Sequence, residues 1–376
     1  MLAIVVLLMA AIPFIYYGLA LYSAARYFGG RRPAADGAFT PPVSNLKPMR
    51  GVDHEAYENL ASFCRQDYPE YELVLCVDDD DEAVAPVVER LRREFPQRSI
   101  RVLYGSGRVA TNDKVAKLAR LVNEAEHEVV VISDSDVRVG PEYLRTVVAP
   151  LADPKVGAVT CFYVPTGAET FTDKLQSVGM MSDFYAGILV AWHLDGVKFA
   201  LGPTIATTRS RLAGFGGYQK IENRPADDLL VGRLIAEQGF RVELLRYSVS
   251  SVPDYRSIAE LWHKRLRWIV VMRHMRPWGH LGLLLTQGLP WSVAAMALNP
   301  AIGGAYLAAY LLFRAAMTWT IGVHGLDQRG VWGKMALIPL WDGLAFLIWV
   351  TSFVRRSVRW RGSDYYIRDG ELVPLE

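Results

Sequence analysis

Apolar residues are concentrated near the two ends of this 376-residue chain, and the first apolar run covers residues 2–25. Its only ionisable side chains are tyrosines, and a helix of this length reaches about 36 Å, enough to cross about 30 Å of hydrocarbon. A cleaved signal peptide is the alternative, because Ser23, Ala24 and Ala25 resemble a cleavage site. No basic residue precedes the run, however, so we predict a retained transmembrane anchor over residues 1–28.

A second apolar region extends over residues 279–354 and is followed by a basic tail, residues 355–376. Arg314 and Asp342 interrupt it, and they either pair across two helices or each face a polar environment. The first part contains Gln287, Gly288 and Pro290, so it either crosses the bilayer, lies in the interface or re-enters, and the number of spans stays open. Basic residues after the anchor and in the tail place both on the cytosolic side.

The residues between the apolar ends, 33–277, have the pattern of a soluble domain. Short apolar runs typical of buried parallel strands alternate with helical stretches. The predicted strands are Val43–Leu46, Tyr71–Val77, Ile100–Leu103 and Val129–Ser133, and the predicted helices are Ala56–Arg65, Ala83–Glu94 and Asp113–Ala125. This alternation predicts an α/β domain with a doubly wound, mostly parallel sheet, carrying interfacial helices near its C-terminal end.

Composition and charge narrow the class of protein. With 51% hydrophobic and 42 aromatic residues, the chain is too apolar for a disordered protein, and with 21% charged residues it is not all membrane. The formal net charge of +2 gives no general attraction to nucleic acid, so we expect no nucleic-acid partner. Three cysteines without metal-ligand spacing predict neither a disulfide framework nor a zinc site.

Acidic residues follow two of the predicted strands. Residues 78–82 are all acidic and come after the second strand, and Asp134 and Asp136 flank Ser135 after the fourth. Ligands of open α/β sheets bind beyond the carboxyl ends of the strands. Capping of the following helix accounts for most of the acidic residues at 78–82. No helix is predicted to begin after Asp134 and Asp136, so capping does not account for them. Asp134 and Asp136 are therefore candidate ligands for Mg²⁺ or Mn²⁺ bound to a diphosphate.

Two further polar groups lie later in the chain. Asp227 and Asp228 precede a helical run, and capping of that helix is the alternative to a catalytic role. Lys264, Arg267 and Trp268 lie in a segment rich in tryptophan and arginine, which is typical of an interfacial amphipathic helix. A solvated basic face is the alternative there.

One apolar segment within the soluble region stands apart. Residues Phe171–Trp192 are apolar around the whole helical circumference, including Met180, Met181 and Phe184. Either they form an ordinary buried helix or they lie against the bilayer and admit a lipid.

These segments occur in an order that resembles a known family. They are Asn45-Leu46-Lys47-Pro48, Ser62–Pro69, the acidic strand end at Asp79, Asn112-Asp113-Lys114-Val115, Asp134–Val139, Phe199–Gly202, Gly216-Gly217-Tyr218, Asp227-Asp228, Arg267-Trp268 and Trp360-Arg361-Gly362. Together they resemble membrane-anchored inverting glycosyltransferases of the ceramide glucosyltransferase type over nearly the whole chain. The resemblance implies a nucleotide-diphospho-sugar transferase fold of the glycosyltransferase A type.

The resemblance also implies roles for individual residues. They are Asp79 for contact with the uridine, Lys114 for the donor, Asp134 and Asp136 for the metal and diphosphate, Asp228 for the catalytic base with Asp227 as the alternative, and Lys264, Arg267 and Trp268 for donor binding. The family usually has Gln, Arg or His where this chain has Lys264, and a lysine lacks the planar fork of arginine. Lys264 is thus expected to act as a phosphate cation.

The implied reaction moves glucose from UDP-glucose to the primary hydroxyl of a lipid, ceramide, at the cytosolic face of a membrane (the inner membrane in a bacterium). One base without a second nucleophilic carboxylate implies inversion. Transfer of N-acetylglucosamine to a hopanoid polyol is an alternative within the same family. A processive polysaccharide synthase is another, but it requires more spans and a Gln or Arg at position 264.

Overall fold

The computed structural model describes residues 2–30, 39–53, 55–79, 81–108, 110–167, 170–252, 257–355, 357–360 and 363–375. The strands are β1 (Val43–Pro48), β2 (Tyr71–Val77), β3 (Ser99–Tyr104), β4 (Val129–Ile132), β5 (Val137–Arg138), β6 (Val156–Pro165), β7 (Ile205–Thr208), β8 (Arg241–Ser251), β9 (Ser357–Trp360), β10 (Ser363–Arg368) and β11 (Glu371–Pro374). The helices are α1 (Leu2–Met9), α2 (Ile12–Gly29), α3 (Ala56–Cys64), α4 (Val84–Glu94), α5 (Asp113–Glu124), α6 (Tyr143–Val148), α7 (Phe171–Gly179), α8 (Tyr185–Asp195), α9 (Arg209–Gly214), α10 (Asp227–Glu237), α11 (Ile258–Met275), α12 (Pro277–Gly282), α13 (Gly288–Leu298), α14 (Pro300–Thr318) and α15 (Ile338–Val354).

The chain divides into two compact units, which we call the sheet unit and the helical unit. The sheet unit comprises Arg32–Gly167 and Val197–Asp254, and the helical unit comprises Met1–Arg31, Ala168–Gly196 and Tyr255–Glu376. The chain therefore leaves the sheet unit after β6, forms α7 and α8, and returns before β7. The functional boundaries expected at residues 28, 33, 277 and 354 stay predictions.

The sheet unit is built on an eight-stranded mixed sheet in the order β3-β2-β1-β4-β7-β6-β8-β5. Strands β3, β2, β1 and β4 pair in parallel, as do β6 and β8, whereas β7 is antiparallel to both of its neighbours. The predicted α/β class, with a mostly parallel sheet, is thus confirmed. Every residue of β1, β2 and β4 is buried, because helices cover both faces of this part of the sheet.

The predicted helices α3, α4 and α5 are present within one residue or two of their expected ends. Asn112 begins α5, because its side-chain oxygen accepts a hydrogen bond from the Val115 amide. The acidic residues before α4 act differently from the expected cap. Ala83 holds the cap position without a side-chain bond, and Asp81 instead accepts a hydrogen bond from the Gly51 amide at 2.8 Å. Asp80 lies outside the described residues.

Among the described residues, three helical segments are long and apolar enough to cross a membrane: Ala3–Gly29, Pro300–Gly325 and Arg329–Val354. The first overlaps the predicted anchor over residues 3–28. The segments Pro277–Thr286 and Gly288–Leu298 meet at a bend of 52°, which makes them either a broken span or a re-entrant loop. Crossing and re-entry of the run around Pro290 are both compatible with this bend.

Arg314 of α14 and Asp342 of α15 form an ion pair, which confirms the first of the two expected arrangements. The Arg314 Nε lies 2.9 Å from Oδ2 of Asp342, and both side chains are buried. Tyr310 donates to the same carboxylate oxygen at 2.7 Å, and Arg314 also donates to the Ser182 carbonyl. An apolar helix pair holds these charges because their polar atoms satisfy one another.

Two parts of the helical unit differ from the sequence expectation. Residues 171–192 are helical throughout, but a π-helical turn at Met180–Phe184 interrupts the α-helical hydrogen-bond pattern between α7 and α8. Beyond α15, the predicted basic tail contains a three-stranded antiparallel sheet in the order β11-β10-β9. Alternation of exposed charges with Val358, Ile367 and Leu372, which are buried, is the pattern that indicates this small sheet.

Candidate active site

Asp228 lies in the first turn of α10, where two backbone amides hold its carboxylate. The Gly202 amide donates to Oδ2 at 2.9 Å and the Leu229 amide donates to Oδ1 at 2.8 Å. Ala226, the residue before the helix, has a left-handed backbone with φ of 57°, and no side chain caps this helix. Asp227 and Asp228 are therefore the first residues of α10 and not its cap.

The surroundings of Asp228 change its acidity. Burial raises the pKa of its carboxyl to about 6, and the neighbouring Asp227 adds to the effect. Lys114 and the Leu229 amide oppose it. A carboxylate with a pKa near neutrality accepts a proton more readily than an ordinary aspartate, which suits a general base.

Lys114 joins carboxylates from two different parts of the chain. Its Nζ lies 2.7 Å from Oδ1 of Asp134 and 3.5 Å from Oδ2 of Asp227. Burial alone disfavours the ammonium, but Asp134, Asp227 and Asp228 outweigh burial and raise the pKa of Lys114. Only 17% of the side chain is exposed, so Lys114 is not a solvated surface lysine of the first turn of α5.

Asp134 and Asp136 follow β4, as the sequence predicts, and other groups hold their loop. Lys47 at the end of β1 donates to the Asp134 carbonyl at 2.9 Å, and the Ser251 hydroxyl donates to Oδ2 of Asp136 at 3.1 Å. Lys47 is fully buried, with its ammonium 3.5 Å from the centre of the Phe63 ring. Burial lowers the pKa of Lys47 to about 7, and Asp134 opposes this shift most strongly.

Gly202 shows that the carboxylates of Asp228 and Asp134 converge. A Cβ atom added at Gly202 would lie 3.2 Å from Oδ2 of Asp228 and 3.3 Å from Oδ2 of Asp134. The candidate base and the candidate metal ligand thus both lie beside the Gly202 Cα. Sequence reasoning gave neither Gly202 nor Lys47 a role, although both lie in segments that carry the family resemblance; an unpaired charge inside the first strand was the available signal for Lys47.

Asp79 lies at the carboxyl end of β2, on the same side of the sheet as Asp134 but beyond a different strand. β1 lies between β2, which precedes Asp79, and β4, which precedes Asp134. Asp79 is exposed and its carboxylate lies against Gly105, where φ is +71° and an added Cβ would meet Oδ1 at 2.2 Å. Its neighbour Asp78 pairs with Lys117, so Asp78 is occupied by a structural contact.

Lys264, Arg267 and Trp268 belong to the helical unit, on α11. Within that unit, the Lys264 ammonium is 6.0 Å from the centre of the Trp268 ring. The centres of the Phe184 and Trp268 rings are 5.9 Å apart. The structure therefore brings together Lys114, Asp134, Asp227 and Asp228 in the sheet unit. The positions of Lys264, Arg267 and Trp268 are described only within the helical unit.

The donor chemistry of Asp134 and Asp136 fits a hard divalent cation. Among the described residues, no group of three His, Cys, Asp or Glu side chains is arranged to hold a metal ion. Mg²⁺ and Mn²⁺ in nucleotide sites, however, usually take one or two carboxylates and complete their shell with phosphate oxygens and water. Asp134 and Asp136 provide two carboxylates at a strand end, which suits that arrangement. The Asp134 side chain is 31% exposed, so a bound ion could also contact water.

Comparison with known proteins agrees with this fold. The sequence matches the profile of glycosyl transferase family 21 over residues 5–373. Ceramide glucosyltransferase 3 of Caenorhabditis elegans is 21% identical over 347 residues, which cover 89% of this chain and 74% of that protein. The beta-monoglucosyldiacylglycerol synthase of Synechocystis sp. is 27% identical over 216 residues, covering 56% of this chain and 43% of that protein.

A solved structure shows the same fold. The mannosyltransferase PcManGT from Pyrobaculum calidifontis, in complex with GDP-Man and Mn²⁺, superimposes with a TM-score of 0.61 at 22% identity, covering 91% of this chain and 99% of that one. The mixed α/β sheet thus has the fold of glycosyltransferases of the A type. The chain belongs to glycosyl transferase family 21, the family of the ceramide glucosyltransferases, and with its apolar helices it is a membrane protein.

Proposed function

We propose that this enzyme transfers glucose from UDP-glucose to the primary hydroxyl of a lipid, ceramide, with inversion at the anomeric carbon. The observation that carries the proposal is the convergence of Asp228 and Asp134 beside Gly202, because a base and a diphosphate site must be neighbours for direct displacement. The names of the relatives support a lipid acceptor and glucose as the transferred sugar.

Asp228 acts as the general base in this proposal. The amides of Gly202 and Leu229 fix its carboxylate, so that the acceptor hydroxyl meets it in one orientation. An alcohol has a far higher pKa than any carboxyl group, so the proton passes to Asp228 as the oxygen attacks the anomeric carbon. Asp227 interacts with Lys114 and supports the charge of the site without taking this proton.

The proposal assigns donor-binding roles to several residues. They are binding of the diphosphate for Lys114 and for Lys264 or Arg267, a further donor contact for Trp268, and contact with the uridine for Asp79. These roles follow the family resemblance at the matching positions. Positive groups around the leaving diphosphate lower the barrier because they stabilise the charge that develops there.

In the proposal Asp134 and Asp136 would hold Mg²⁺ or Mn²⁺, and such an ion would supply positive charge to offset that of the diphosphate. The chain itself keeps these carboxylates in place. Lys47 fixes the Asp134 backbone from β1, and Ser251 fixes Asp136 from β8.

The acceptor reaches the site from the membrane. The segment α7–α8 belongs to the helical unit, together with the apolar helices, and continues directly into the residues that precede Gly202. With the bent α12–α13 segment as a re-entrant loop, α14 and α15 return the tail to the side of the central residues. The basic residues after α2 and after α15 then place the sheet unit in the cytosol.

The test is transfer by the full-length protein in lipid nanodiscs. UDP-glucose, UDP-galactose, UDP-N-acetylglucosamine and GDP-mannose are each supplied with ceramide, diacylglycerol or a hopanoid polyol, and the lipid product is identified by mass spectrometry. We expect glucosylceramide from UDP-glucose, loss of turnover on adding a chelator, and recovery with Mn²⁺ or Mg²⁺. A hexosaminyl-hopanoid or a glucosyl-diacylglycerol product would replace the proposed reaction with the corresponding alternative.

The Asp228→Asn variant tests the base. We expect turnover to be lost while binding of UDP, measured by calorimetry, stays close to that of the wild type, since the amide keeps the shape of the side chain. Asp227 remains unchanged in this variant. Retained turnover would contradict the assignment of Asp228.

A further inference from the structure

Lys114 occupies a position that a divalent cation would need to share. Its ammonium contacts Oδ1 of Asp134 at 2.7 Å and reaches Oδ2 of Asp227 at 3.5 Å. The backbone of Lys114 is fixed because it is the second residue of α5, whose cap Asn112 also donates to the Arg224 carbonyl. The first turn of α5 is thereby tied to the loop that leads into Asp227, so the lysine is directed at both carboxylates.

Two cations cannot both bind one carboxylate closely without repelling each other, and this repulsion is strong where the surroundings are buried. An ammonium 2.7 Å from Asp134 therefore opposes the approach of a divalent ion to the same side chain. The repulsion is relieved when the ammonium gains another anionic partner, and a nucleotide diphosphate supplies that partner.

We propose that Lys114 is an internal counter-cation that competes with the divalent metal for Asp134 and moves to the diphosphate when a nucleotide binds. The inference rests on the proposed function, since it takes Asp134 as a metal ligand and a nucleotide sugar as the donor. Lys114 thus makes metal binding depend on the nucleotide. Because coupling between two ligands is reciprocal, the metal also strengthens nucleotide binding.

Lysine suits this exchange for a geometric reason. Its ammonium is a compact charge on a flexible stem, so it can change partners while α5 stays in place. Asp227 contacts the same ammonium and keeps one negative neighbour beside it when Asp134 turns to the metal.

The test measures Mn²⁺ binding by the full-length protein in nanodiscs, without any transfer reaction. The electron paramagnetic resonance signal of free aqueous Mn²⁺ is followed during titration, with and without UDP, for the wild type, Lys114→Met and Lys114→Arg. Lys155→Met is the matched control, because it removes the same charge from an exposed lysine of the sheet unit. Lys155 precedes β6, which runs parallel to β4. Lys155 therefore lies at the amino ends of these strands, whereas Asp134 lies at their carboxyl ends.

In the wild type we expect UDP to tighten Mn²⁺ binding on the order of tenfold or more, within the usual range for coupled ligands. Without UDP, Lys114→Met should bind Mn²⁺ about tenfold more tightly than the wild type, and its response to UDP should shrink. Lys114→Arg keeps the charge, so without UDP its Mn²⁺ affinity should stay closer to that of the wild type than the affinity of Lys114→Met does. Lys155→Met should behave as the wild type. If Lys114→Met does not fold, Lys114→Gln takes its place in the comparison.

Equal Mn²⁺ affinity of the wild type and Lys114→Met in the absence of UDP overturns the inference. An equal gain in Lys155→Met does so too, because the effect would then come from net charge alone. A wild type that binds no Mn²⁺ even with UDP contradicts the metal site of the proposed function. A wild type that binds Mn²⁺ and transfers glucose, while the Lys114 variants show no change, removes only the counter-cation role.

Discussion

The backbone amide of Gly202 donates a hydrogen bond to Oδ2 of Asp228 at 2.9 Å, across 26 positions of the sequence. Glycine leaves space at this position for the two carboxylates. The Cβ of any other residue would lie 3.2 Å from Oδ2 of Asp228 and 3.3 Å from Oδ2 of Asp134, which is closer than ordinary van der Waals contact. The contact orients the candidate base, and the absence of a side chain lets Asp134 approach it.

Gly202→Ala should reduce kcat on the order of 10- to 100-fold, because a small displacement of a reacting group has an effect of that size. The overall fold should be retained, since either carboxylate can move by a few tenths of an ångström. Turnover and the thermal unfolding midpoint check both statements. Gly330→Ala is the control, because a Cβ there meets nothing within 4 Å. An unchanged kcat in Gly202→Ala would show that this orientation does not matter.

Gly232→Ala should lower the free energy of unfolding by about 1–3 kcal/mol, the usual effect of overpacking. A Cβ at Gly232 on α10 would lie 2.2 Å from the Phe199 carbonyl carbon and 2.3 Å from the Ala200 nitrogen, so the helix must move away. Activity should fall as well, because α10 carries Asp228. Chemical denaturation measures the stability.

The control for Gly232→Ala is Arg233→Ala on the same helix. Arg233 and Glu237 form an exposed ion pair, and such pairs contribute about 0.3–0.5 kcal/mol. Equal losses in the two variants would mean that close packing of α10 against residues 199–200 is unimportant.

The pH dependence of kcat/KM should follow the ionisation of Asp228. Its carboxyl must be deprotonated to accept a proton, and burial together with Asp227 raises its pKa to about 6. The rate should therefore rise with pH through about 6 and then level off. Asp227→Asn removes one cause of the raised pKa, so the acid limb should move to lower pH.

Asp153→Asn serves as the control for the pH experiment, since Asp153 pairs with Arg241 and is exposed. Its profile should match that of the wild type. If the acid limb of the Asp227→Asn profile does not move, the ionisation seen in the profile does not belong to Asp228.

Loss of one partner of the buried pair Arg314–Asp342 should destabilise the protein more than loss of both. Arg314→Met leaves the Asp342 carboxylate buried without its cation, which should cost about 3–5 kcal/mol. The double variant Arg314→Met, Asp342→Leu should regain much of that loss, because no charge remains to be compensated. Thermal unfolding in detergent micelles checks this order. A double variant as unstable as Arg314→Met would show that the unpaired Asp342 carboxylate is not the cause of the loss.

Local patterns predicted the strands β1 to β4 and the helices α3 to α5, because burial on both faces requires continuous apolar runs and because helix caps are local in sequence. The apolar ends likewise predicted the candidate membrane helices. The same local logic assigned a capping role to acidic residues before α4, which was wrong because Asp81 binds the Gly51 amide of another loop.

The sequence by itself determined the chain's division into apolar ends and an α/β centre, the strand ends that carry Asp134 and Asp136, and the family. Only the tertiary structure decided which charges meet: Lys114 with Asp134, Gly202 with Asp228, and Arg314 with Asp342. The physical reason is that apolar periodicity specifies which face of an element is buried, whereas a hydrogen bond or ion pair depends on distances between elements far apart in the chain.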